Sequence, residues 1–164
     1  MSQLQPDHVF PEYGKTGLNF MEMQNYQLYS DGACRGNPGA GGAGAVITDT
    51  AGNVLWEGKE FLGRCTNNIA EYRALILGLK GALQGGYKRL DVYMDSELLA
   101  KQINGSYRVK NENLKGLMQE VRSLLASFDH VQIQHVLRCH NARADKLANM
   151  AIDNHGQPSA KSNQ

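Results

Sequence analysis

The spacing of hydrophobic residues changes near residue 65, and that change limits the fold. Tyr26 to Cys34, Gly41 to Thr48 and Val54 to Leu62 read as three strands, with DTAGN (Asp49 to Asn53) as a hairpin turn. The second strand, GGAGAVIT, is rich in glycine, which suggests close backbone packing. Then Ile69, Tyr72, Ile76, Leu79 and Leu83 step by three and four, an amphipathic helix stopped at Gly85-Gly86. Leu90 to Met94 is a short buried strand. Leu98 to Ile103 is a short helix ending at Asn104-Gly105. Asn111 to Phe128 is a helix with Leu114, Leu117, Val121, Leu124 and Leu125 on one face. Val131 to Leu137 alternates as a strand, and Ala142 to Ile152 closes as a helix with Leu147, Ala148 and Ile152 inward.

The order β-β-β-α-β-α-α-β-α predicts an α/β fold. Strands joined by short turns pair antiparallel, and strands joined through helices pair parallel. The expectation is a mixed five-stranded sheet, three antiparallel strands plus two parallel, flanked by helices, with right-handed crossovers. Residues 25–155 form the globular unit. Residues 1–24 carry Pro6, Pro11, Gly14 and Gly17 without sustained periodicity and are expected to be an irregular or mobile extension, in which Met21 and Met23 offer internal starts. Residues 156–164 are expected to be a flexible tail.

Composition excludes some classes. No apolar run approaches the roughly 20 residues of a membrane span, and the N-terminus has no basic region followed by an apolar stretch. Cys34, Cys65 and Cys139 are three, at unrelated spacings, which fits reduced thiols in a cytoplasmic protein better than a disulfide framework. A net charge of +1 does not announce a nucleic-acid partner. Lys101, Arg108, Lys110, Lys115 and Arg122 do outnumber Glu112 and Glu120 locally, a pattern equally suited to a solvated helix face.

Four acids fall at element ends. Asp31 closes the first strand, in SDGACRGNPG. Glu71 lies in the first turn of the long helix, in TNNIAEYRALILGL. Asp95 follows the fourth strand, in VYMDSELLAKQI, and Asp145 begins the last helix, in NARADKLANMAI. Each has a plain structural reading. Asp31 suits an Asx-turn, Asn68-x-x-Glu71 has capping-box spacing, Asp95 suits a helix N-cap, and Asp145 favours the positive end of a helix dipole. The glycines from Gly36 to Gly44 suit a turn or a phosphate cradle, although no GK[ST] follows and a strand rather than a helix does.

Together the acids allow something else. If the first and fourth strands are parallel neighbours, Asp31 and Asp95 stand at the same end of strands about 4.8 Å apart. Carboxyl ends of strands are where open α/β sheets bind ligands. Crowded carboxylates repel until a cation sits among them, and hard oxygen donors suit Mg2+ or Mn2+. Paired ions of this kind serve displacement at phosphodiesters.

These four blocks, in this order and over about residues 26–153, resemble the signature blocks of type 1 ribonuclease H. The resemblance implies the ribonuclease H-like fold and an endonuclease that cuts the RNA strand of RNA–DNA hybrids with two Mg2+ ions, leaving 3′-hydroxyl and 5′-phosphate ends. It implies that Asp31 bridges both ions, that Glu71 and Asp95 complete one shell, and that Asp145 serves the other. His135 precedes Asp145 by the interval of the family's catalytic-loop histidine and would ferry protons or assist product departure; His140 lies between them. Asn37, Asn67 and Asn68 match asparagines that contact the hybrid, with Gly32 to Gly36, including Cys34, offering backbone amides. The plain reading of Asn67 and Asn68 is helix capping.

There are departures from the pattern. Leu137 stands where proline is common, and Glu97 where glutamine is frequent, so an ionised acid replaces a donor there. The stretch from Asp95 to His135 is short, and the single tryptophan, Trp56, reads as a core or sheet-face residue. The chain is therefore similar to the subgroup without the basic protrusion, in which GSYRVKNENL replaces it and Arg108, Lys110 and Tyr107 are candidates to touch DNA phosphates. A monomer is expected. A strand transferase or integrase core would share the carboxylates, but lacks the DGACRGNPG and TNN blocks. A non-catalytic module on this fold would be expected to have lost an acid.

Overall fold

The computed structural model describes residues 24–155. The expectations for residues 1–23 and 156–164, including the internal starts, lie outside the described residues. Five strands and four helices follow in the order expected: β1 (Tyr26–Gly36), β2 (Gly39–Thr48), β3 (Val54–Cys65), α1 (Asn67–Gly85), β4 (Arg89–Met94), α2 (Glu97–Ile103), α3 (Glu112–Leu125), β5 (His130–His135) and α4 (Ala142–His155). The sheet order is β3-β2-β1-β4-β5. The β1–β2 and β2–β3 pairs are antiparallel, and β1–β4 and β4–β5 are parallel. This is the mixed sheet that the pattern predicts.

Several boundaries move. β1 ends at Gly36 rather than Cys34, because β2 pairs with it from Gly39 onward, and Asp31 lies inside the strand rather than closing it. α3 stops at Leu125 rather than Phe128, capped at Ala126. β5 stops at His135 rather than Leu137; the chain then turns through a short 3-10 helix, Arg138–Asn141, which the sequence pattern does not announce.

Alternation divides β2 between two layers. Ala45 and Ile47 face the main core with Leu28, Tyr72, Leu75 and Leu79, all fully or almost fully buried. Val92 and Met94 of β4 and Val121 of α3 complete it. Gly42 and Gly44 face the other way, against α4. A Cβ on Gly42 would overlap the Ala148 carbonyl, and one on Gly44 the Ala144 carbonyl. The glycines of β2 therefore let a helix backbone lie directly on a strand backbone. Trp56 is partly buried against the core, its ring filling the space beside Gly81.

Candidate active site

The β1–β4 pairing brings the first two acids together. Its last registered pair is Ser30 with Met94, so Asp31 and Asp95 are each one residue beyond it. At that point β4 ends and β1 does not. Asp31 is 3% exposed, whereas Asp95 is partly open. The Asp95 side chain does not cap α2; Ser96 does, its hydroxyl accepting from the Leu99 N–H at 3.1 Å.

Glu71 arrives from α1. The capping box expected at Asn68-x-x-Glu71 does not form. Thr66 is the N-cap, accepting from the Ile69 N–H at 3.3 Å, and the first helical turn holds no acid. Glu71, a turn deeper, is released for another partner: its Oε1 accepts the Gly32 main-chain N–H at 3.1 Å. The Gly32 amide is therefore committed inside the protein and is not a free donor for a substrate.

One oxygen each from Asp31, Glu71 and Asp95 lies within 4.8 Å of the others. Burial, then the Glu71 charge, a hydrogen bond to Asp145 and the charges of Asp95 and Asp145 push the Asp31 carboxyl up to about 9. Burial chiefly pushes Glu71 up to about 8, opposed by the Gly32 N–H and the Arg138 charge. At neutral pH Asp31 and Glu71 therefore hold protons unless a cation takes their place.

Asp145, in the first turn of α4, stands outside that trio but lines the same cleft, a cavity of about 520 Å3 that Gly32, Cys34, Asn67, Glu71 and Asp95 also line. Asn149 steadies it. Its Nδ2 donates to the Asp145 carbonyl at 3.0 Å, and its Oδ1 accepts from Arg35 at 3.0 Å, while Arg35 also pairs with Asp153 at 2.9 Å. The Cys34 thiol donates to the Cys65 carbonyl at 2.8 Å.

Other candidates lie elsewhere. Asn37 accepts the Asn67 N–H at 3.0 Å, tying the β1–β2 hairpin to the start of α1. With Asn68, Thr66, Asn111 and Asn113 it lines a neighbouring uncharged groove of about 320 Å3. His135 is exposed at the end of β5, opposite Met94, and does not line the cleft. His140 lines a separate concavity with Tyr29 and Thr48. Arg108 lines a groove of about 470 Å3 with Tyr107, Met118 and Arg122, and Lys110 is exposed nearby; neither lines the carboxylate cleft.

Sequence reasoning missed Arg138, Asn141 and Asn149. Arg138 and Asn149 line the cleft, and the amide of Asn141 reaches Asp95. Each is a single polar residue in a turn or helix, and no periodicity marks it.

A mixed β3-β2-β1-β4-β5 sheet that gathers acids at the end of its β1–β4 pair, backed by helices on both faces, is a ribonuclease H-like fold. A family model described as reverse transcriptase-like matches residues 29–151. Ribonuclease HI of Halobacterium salinarum is 42% identical over 125 residues, 76% of this chain and 63% of its own length. The crystal structure of RNase H1 from that organism superposes with a TM-score of 0.77 at 41% identity, covering 79% of this chain and 98% of the other. LC11-RNase H1, solved in complex with an RNA/DNA hybrid, gives a TM-score of 0.76 at 41% identity, again covering 79% and 98%. A bifunctional protein of Mycobacterium tuberculosis is 42% identical over 134 residues, 81% of this chain but 37% of that protein. The chain thus spans less than two thirds of these curated relatives. It belongs to the type 1 ribonuclease H family.

Proposed function

We propose that this chain is an endoribonuclease that hydrolyses the RNA strand of RNA–DNA hybrids, leaving 3′-hydroxyl and 5′-phosphate ends. The observation that carries the proposal is the approach of Asp31, Glu71 and Asp95 to within 4.8 Å. The solved hybrid complex of LC11-RNase H1 supports the choice of substrate.

The donor set fits a divalent ion. It is all carboxylate oxygen, and two of its members hold protons at neutral pH when nothing else neutralises them. Asp31, Glu71, Asp95 and Asp145 would hold Mg2+, or Mn2+ in its place. Bound ions would supply activation of water and charge stabilisation at the scissile phosphate.

The chain's own residues prepare that edge. The Gly32 N–H orients Glu71, and Asn149 holds Asp145. Asn67 and Cys34 at the cleft, with Asn37 and Asn68 in the adjoining groove, present polar groups to a hybrid. Only the RNA strand carries 2′-hydroxyls, so such groups can choose the strand to be cut. Arg108 and Lys110 contribute charge toward the DNA strand. His135 assists product departure from outside the cleft lining. The protein is read as monomeric and cytoplasmic, in keeping with three free cysteines. Among the described residues no helix is long and apolar enough to cross a membrane.

The test is incubation with labelled RNA–DNA hybrid, duplex DNA and duplex RNA, with and without Mg2+, beside Asp31→Asn. Mg2+-dependent cleavage confined to the hybrid and lost in the variant is expected. Equal activity in the variant, or an intact hybrid, would sink the assignment.

A further inference from the structure

Asn141 ends the 3-10 turn before α4 and is 1% exposed. Its Nδ2 donates to the Ser30 carbonyl at 2.8 Å, across 111 positions, and to Asp95 Oδ2 at 3.3 Å. Its own Oδ1 is the one buried side-chain oxygen or nitrogen without a partner among the described residues. The side chain is held by its donor end alone.

Both acceptors belong to the acid edge. Ser30 is the last β1 residue registered with β4, and Asp31 follows it. Because β4 ends at Met94, no further strand residue remains on that side to pair with β1. The Asn141 amide takes the carbonyl at this point. Its second N–H engages one oxygen of Asp95 and leaves the other free. One amide group thereby ties the strand of Asp31 to the side chain of Asp95. An amide nitrogen has two N–H bonds, and this task uses two acceptors. Serine offers one donor, and ionised aspartate offers none.

We propose that Asn141 is a positioning residue that fixes Asp95 against the Asp31 strand, so that the carboxylate trio is in place before a divalent ion arrives. The inference rests on the reading of that trio as an ion site. Groups that orient ligands in this way commonly account for about 10- to 100-fold in metal affinity.

The experiment measures binding of Mn2+ alone by calorimetry and by paramagnetic resonance on the full chain. It compares the unaltered protein, Asn141→Leu, Asn141→Ser and the distant core variant Val121→Ala. Folding of each is checked by circular dichroism at the binding temperature. Asn141→Leu keeps the volume and loses both donors, and should bind about 10- to 100-fold more weakly. Asn141→Ser should lose less. Val121→Ala should melt lower yet keep its affinity, which a purely structural role for Asn141 would not explain. In the unaltered protein the Asn141 side-chain amide proton resonances should be slow to exchange and should shift on Mg2+ titration. Unchanged affinity in a folded Asn141 variant overturns the inference, as do amide signals that stay fixed at saturating Mg2+. Absence of any Mn2+ binding by the unaltered protein overturns instead the ion-site reading beneath it.

Discussion

The main-chain N–H of Gly32 donates to Glu71 Oε1 at 3.1 Å, across 39 positions. The contact needs glycine, because a Cβ at residue 32 would overlap the Ala70 carbonyl and the Glu71 amide nitrogen. Gly32→Ala should push α1 off β1 and cost about 1–3 kcal/mol, as overpacking does. It should also weaken Mg2+ binding, since the displaced helix carries Glu71 away from the main-chain N–H that orients it. Urea denaturation and calorimetry check both; unchanged values for the two would refute the account.

Asp31 is held among like charges in a buried place. Asp31→Asn removes a carboxylate that resists ionisation, so the Mg2+-free variant should melt above the unaltered protein. Its hybrid cleavage should fall by about a hundredfold or more, since ligated ions contribute several kcal/mol to such reactions. A lower metal-free melting point would contradict the electrostatic picture.

The pH dependence follows with a definite sign. Asp31 and Glu71 sit at about 9 and about 8, both above their ordinary values of 3.8 and 4.5. The folded state keeps protons that the unfolded chain releases. Their contribution to metal-free stability is therefore full below about pH 4 and is lost as pH rises through about 8 to 9. Mg2+ takes the place of those protons, so its stabilising effect should grow over the same window and binding should release protons. Melting curves of the unaltered protein and Asp31→Asn, across that range with and without Mg2+, isolate the effect. A Mg2+ increment independent of pH would exclude it.

Hybrid binding should weaken steeply with salt, because phosphate contacts release counterions. Arg108→Ala and Lys110→Ala should each lower the slope of log affinity against log salt by about 1. Fluorescence anisotropy over a salt series measures it; a flat profile would contradict the assignment of these residues.

His135→Ala should slow turnover without abolishing it, and His140→Ala, on the separate concavity beside Tyr29, should leave turnover near its original value. Steady-state kinetics with a burst-phase measurement distinguish slow product departure from slow cleavage. Complete loss in His135→Ala would point to a role in the fold or in the chemical step.

The layers of this fold were legible because elements such as β4 and α3 bury one face, and burial writes its period into the chain. Asp31 and Asp95 were legible as neighbours for the same reason: an alternating run ends beside each. The continuation of β1 past Cys34 to Arg35 and Gly36 was not, since these residues carry little apolar signal, and the pairing comes from β2. Capping was misassigned by one or two positions. Asn68 and Asp95 are good caps by type, but Thr66 and Ser96 hold the geometry, and the two acids are freed. Asn141 was invisible for a simpler reason. Its partners lie 111 and 46 positions away, and nothing local requires an amide there.

The bare contact of α4 on β2 has a mechanical consequence. Where side chains separate two layers, rotamer changes can alter the gap. At Gly42 and Gly44 the spacing is set by main-chain atoms against the carbonyls of Ala148 and Ala144, which have no rotamers. Asp145 is carried on the first turn of that same helix. The height of the fourth acid above the sheet is thus gauged by a rigid spacer, on the face of the sheet opposite the main core.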